Sequence, residues 1–137
     1  MTVYKITSAR RSGLSLWLVP ALFLDLALVT AFTMVGRMIH GYDLGFLGVA
    51  HTAWPFLVGA LLGWGVSLAW RRPLAVMKSA VPIWLVTIGV GMLLRFVSGQ
   101  GVALPFVIVA LVFVGVVLLG WRALAKPFAR RSALLQS

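Results

Sequence analysis

The sequence predicts an all-α polytopic membrane protein, with four transmembrane helices arranged as two helical hairpins and both termini in the cytoplasm. Three observations predict it. Apolar residues make up 62% of the 137 residues and charged residues only 10%, where soluble domains hold roughly half and a quarter. The apolar residues gather into four runs, each near the ~20 residues a helix needs to cross a bilayer. Basic residues punctuate those runs unequally, as topology signals do. Strands are excluded because the runs are too long and lack a period of two.

The elements follow in order. The first span is expected over 14–36, after Lys5, Arg10 and Arg11. It is too long for the core of a signal peptide, and Asp25 interrupts it. A Gly-rich outer loop, 37–50, holds His40 and Asp43. The second span is expected over 51–70, and a link containing the breaker Pro73 leads to a third over 81–97. Ser98-Gly99-Gln100-Gly101 is a tight turn, and the fourth span covers 102–121. Pro55 and Pro105 are expected in first helical turns, where a missing N–H costs little. The chain thus divides into a basic cytoplasmic N-terminus (1–13), a transmembrane domain (14–122) and a basic, mildly amphipathic cytoplasmic tail (123–137).

Ten of the twelve Lys and Arg residues fall on one side of this arrangement, and only Arg37 and Arg95 lie toward the other. The positive-inside rule puts the ten in the cytoplasm and the protein in the cell (inner) membrane. Trp17, Trp70, Trp84 and Trp121 then fall near the inner interface and Trp54 near the outer one. The net charge of +10 follows from these punctuating residues and not from a nucleic-acid-binding face. With no cysteine, disulfides and thiolate metal sites are excluded.

A weak internal repeat is visible. Ala53-Trp54-Pro55-Phe56 returns as Ala103-Leu104-Pro105-Phe106, and Trp70-Arg71 as Trp121-Arg122. Two hairpins of the same orientation would make a parallel repeat, as in some small transporters. Short matches also arise by chance in so apolar a sequence. Several landmarks resemble those of a family of small prokaryotic membrane proteins catalogued as domain of unknown function 3054. They are Gly36-Arg37 with His40, then Thr52-Ala53-Trp54-Pro55-Phe56, Gly59, Gly63-Trp64, Trp84, Thr87, Gly91-Met92-Leu93-Leu94-Arg95, Gly99, Gly101, Phe106 and Gly120-Trp121-Arg122. The resemblance implies a four-helix integral membrane protein and supplies no catalytic residues.

The polar residues define the candidate sites. A charge at the bilayer centre costs at least about 2.5–3.5 kcal/mol, so Asp25 should face the bundle interior. Counted from the inner span ends, Asp25 lies about 17 Å deep and Arg95 about 21 Å deep. Their matched depth makes Asp25 and Arg95 the expected intramembrane polar site. In the structural reading Arg95 can instead snorkel outward; a neutral, protonated Asp25 bonded to backbone or hydroxyl and a functional proton or ligand site are the alternatives. Arg37, His40 and His51 would line an outer mouth. His40, Asp43 and His51 share that loop, but their spacing fits no metal signature. Gly59 and Gly63 read as a close-packing face, within the bundle or in a homodimer.

No HExxH, phosphate-binding Gly loop or Cys pair occurs, and the only acids are Asp25 and Asp43. No enzyme and no cofactor are therefore expected. Two functions remain. One is a transporter-like protein built around Asp25 and Arg95. The other is a non-catalytic accessory or scaffold subunit of a larger membrane complex. The expected partners are the lipid bilayer and either a second copy or another membrane protein.

Overall fold

The computed structural model describes residues 2–135. Its order is α1 (Thr2–Ile39), α2 (Phe46–Ser67), a 3-10 turn (Ala69–Arg71), a single π turn (Val76–Ala80), α3 (Val81–Val97) and α4 (Leu104–Leu135). Four helical segments are long and apolar enough to cross a membrane: Leu16–Ile39, Phe46–Ser67, Val76–Val97 and Leu104–Arg131. The chain is an all-helical, multi-pass membrane protein. The helices neighbour one another in a ring, α1 beside α2, α2 beside α3, α3 beside α4 and α4 beside α1. α1 and α3 therefore stand on a diagonal.

Several boundaries differ from the sequence expectation. α2 begins at Phe46 and not near 51, so the outer loop shrinks to 40–45. Arg37 donates from Nε to the Asp43 carbonyl (2.8 Å) and from Nη1 to Thr52 Oγ1 (2.8 Å), and Asp43 Oδ2 accepts from Gly45 N (3.2 Å). These bonds fold what reads as a loop into a helix start. Pro55 consequently lies inside α2 and not in its first turn. At the other end no break follows Trp121, because α4 runs unbroken to Leu135. The basic tail is thus a continuation of the spanning helix. α1, with 38 residues, is about 57 Å long and α4, with 32, about 48 Å, so both overshoot a hydrocarbon core of about 30 Å.

α1 and α3 end alike. Gly41 N bonds Met38 O (3.2 Å) and Tyr42 N bonds Arg37 O (2.9 Å); Gly99 N bonds Phe96 O (3.2 Å) and Gln100 N bonds Arg95 O (2.9 Å). Each is a Schellman ending, with the glycine in the left-handed region at φ +74° and +79°. Each has an arginine at the third position from the helix end, and that arginine's Nε donates six residues on, Arg37 to Asp43 O (2.8 Å) and Arg95 to Gly101 O (3.2 Å). One register shift relates every member of the two sets.

Glycine sets the closeness of α2 and α3. A Cβ at Gly59 would lie 2.8 Å from the Thr87 carbonyl oxygen, and one at Gly63 2.8 Å from Ile83 Cα. Both neighbours are backbone and cannot swing aside. Both expected packing residues thus face α3 inside this bundle. In the half nearer the α1–α2 loop, Phe32 packs edge-on against Phe56 (centroids 5.7 Å, 88°) and beside Phe106 (6.0 Å) and Phe113 (5.4 Å). Between α3 and α4, the Trp84 indole covers Gly115 and donates to the Leu111 carbonyl at 2.8 Å. These contacts make Gly63→Ala destabilising by about 1–3 kcal/mol. Gly65→Ala, with open space around the added methyl, leaves stability unchanged or raises it by up to about 1 kcal/mol. Unfolding of the two variants in mixed micelles measures the contrast.

Candidate functional site: a closed carboxylate–guanidinium network

Asp25 is fully buried, as the lone acid of an apolar run must be. Its partner is Arg122, also fully buried. The guanidinium grips the carboxylate with two parallel bonds, Nη1 to Oδ1 at 2.9 Å and Nη2 to Oδ2 at 2.6 Å. Two indoles complete the carboxylate: Trp121 Nε1 donates to Oδ1 at 2.7 Å and Trp64 Nε1 to Oδ2 at 2.8 Å. Four donors thus fill the four lone-pair positions of an ionised carboxylate. Arg122 is answered further by the Pro73 carbonyl (Nε, 2.8 Å) and the Leu118 carbonyl (Nη1, 3.1 Å). It also lies over the Trp121 ring at 4.6 Å, a cation–π contact.

The network joins α1, α2, the link between α2 and α3, and α4. Its cost is desolvation, several kcal/mol per ion. Bidentate geometry and the additional donors and acceptors offset that cost. Leaving either ion behind would strand a charge in a site without water.

The expected pairing of Asp25 with Arg95 is therefore incorrect. Counted from the span starts, Leu16 and Val76, Asp25 lies about 14 Å along its helix and Arg95 about 28 Å, so their depths do not match, and α1 and α3 are diagonal besides. Arg95 turns toward the turn between α3 and α4 instead. It donates to Gln100 Oε1 (3.1 Å), the Gln100 carbonyl (3.4 Å) and the Gly101 carbonyl (3.2 Å), and lies over the Phe106 ring at 4.6 Å. That is the snorkelling arrangement. The sequence reading counted Arg122 as an interfacial topology marker and Trp64 only as a family landmark. Recognising α4 as continuous past Trp121 would have placed Arg122 within helical reach of Asp25.

Of the three residues expected to line a mouth, Arg37 is already engaged. Arg37 is bound to Asp43 (Nη2 to Oδ1, 2.9 Å) and Thr52, and lies 5.4 Å from the Tyr42 ring centre. His40 and His51 are both exposed. Among the described residues, no three His, Cys, Asp or Glu side chains gather as a metal site would require. His51 contributes its backbone. Pro55 has no N–H for the His51 carbonyl, and Gln100 Nε2 takes that acceptor at 3.1 Å. The turn between α3 and α4 is thereby fastened to α2.

Asp25→Asn and Arg122→Gln should each cost about 3–5 kcal/mol. Their double variant should cost clearly less than the sum, because it removes both ions. Asp25→Asn with Arg95→Gln should be additive within about 0.5 kcal/mol. Equilibrium unfolding of the single and double variants measures both couplings.

No curated protein and no solved structure matches the chain. A family profile described as Protein of unknown function (DUF3054) matches residues 22–125, from just before Asp25 to just after Arg122. The chain belongs to this DUF3054 family of proteins of unknown function.

Proposed function

We propose that the protein is a non-catalytic accessory or scaffold subunit of the cell membrane, built as two helical hairpins with both termini in the cytoplasm. One observation carries the reading: the buried ions are fully consumed by each other and by the protein. A transport site needs a carboxylate or guanidinium free to exchange its partner for substrate or solvent. Asp25 has none of its four acceptor positions free, and both ions are wholly inaccessible. Two grooves on the outside of the bundle are apolar. The network specifies how the helices assemble, and the lipid-facing surface is left for other molecules.

A transporter-like second reading draws support from the matched endings of α1 and α3, since parallel repeats build small transporters. In that reading a dimer would supply the pathway, with Asp25 and Arg122 separating during the cycle. Purification in mild detergent distinguishes the two. The scaffold reading expects a membrane protein to co-purify in fixed stoichiometry. A chain that purifies alone and moves ions or solutes in proteoliposomes, with Asp25→Asn abolishing the flux, overturns it.

Orientation rests on the distribution of basic residues and is measured separately. The chain has no cysteine, so single replacements report without background. Ser98→Cys should react with an impermeant maleimide in intact cells. Met77→Cys should react only after the membrane is opened.

A further inference from the structure

We propose that the groove between the inner halves of α1 and α4 seats an acyl chain of an anionic phospholipid, whose phosphate is met by Arg131. The groove has a volume of about 330 Å³ and is lined by Trp17, Pro20 and Leu24 of α1 and by Trp121, Leu124 and Phe128 of α4, among others. Phe128 and Leu124 are about 70% exposed, so the protein alone does not fill it.

Charge identifies the occupant. The chain holds only two acids, and both are taken, Asp25 by Arg122 and Asp43 by Arg37 at the opposite end. The exposed Lys126, Arg130 and Arg131 have no side-chain carboxylate to answer them. Helical register then selects among the three. Arg131 falls three residues after Phe128 and seven after Leu124, on the groove's flank of α4 at 3.6 residues per turn. Lys126 and Arg130 lie roughly 140–180° around the helix from the groove. A chain lying along Leu24, Leu124 and Phe128 thus ends its headgroup beside one unanswered guanidinium. Each basic residue near an anionic membrane surface is worth about 1 kcal/mol. The floor of the groove is Trp121, whose N–H holds Asp25, so the seated lipid also shields that indole.

The test uses the full chain in mixed micelles and dibrominated lipids as tryptophan quenchers. Dibromo-phosphatidylglycerol should quench with an apparent affinity about fivefold tighter than dibromo-phosphatidylcholine, the preference one basic residue gives. Arg131→Gln, at an exposed position that leaves the packing intact, should abolish the preference. The double variant Lys126→Gln/Arg130→Gln should keep it. Ala125→Phe, which fills the groove that Ala125 also lines without adding a tryptophan, should weaken quenching by both lipids. Equal affinity of the unaltered chain for the two lipids overturns the proposal. So does an equal loss in the Lys126/Arg130 variant, which would mean a diffuse basic belt. So does quenching unaffected by Ala125→Phe, which would place the lipid elsewhere.

Discussion

The pair formed by Asp25 and Arg122 is the constraint on which the bundle's geometry rests. An ionised carboxylate inside a membrane protein is tolerable only when every lone pair has a donor. Meeting that demand fixes positions far apart in sequence: Trp64 in α2, Pro73 in the link, and Trp121 with Arg122 in α4. α3 contributes nothing to this network and is held by different physics. Its backbone lies directly on Gly59 and Gly63, and its Trp84 covers Gly115. One side of the ring is organised by electrostatics and the other by backbone proximity, which suits a medium where apolar burial alone does not drive helices together.

The two halves share an ending but not a core. The register shift that superposes the Arg37 and Arg95 endings carries Asp25 onto Ile83, which is fully buried at Gly63. Where one half places a charge and surrounds it with donors, the other sets the backbone of a buried isoleucine against a glycine. The carboxylate is thus particular to the first half, while Trp121 and Arg122 of the second half supply three of its four donors.

The class of the protein, the number of spans and the burial of Asp25 were legible because each follows from the cost of exposing groups to hydrocarbon. Gly59 and Gly63 were legible as a packing face for the same reason, though only the structure shows that α3 occupies it. The partner of Asp25 was not legible. The third span begins at Val76 and not at 81, which puts Arg95 level with Arg37 and far from Asp25, and even a correct depth cannot tell a neighbour from a diagonal. Arg122 was hidden by its position, since a basic residue closing an apolar run reads as an interface marker whether or not it folds back. The start of α2 was missed because the bonds that order 42–48 come from Arg37 and Asp43, which composition presents as loop residues. Pro55 was misplaced as a result.

That displaced proline gives the end of the bundle that carries the α1–α2 and α3–α4 turns its own fixed alignment. A proline within a helix leaves one carbonyl without its helical donor, and here that is the His51 carbonyl. Because a glutamine from the turn between α3 and α4 occupies that carbonyl, any vertical slip of α2 past that turn would uncover it. Arg95 holds the same glutamine by its amide oxygen, so the slip would also cost the guanidinium an acceptor. The missing hydrogen of one ring nitrogen thereby acts as an index mark, setting the height of α2 against the turn at a point that the buried ion pair does not reach.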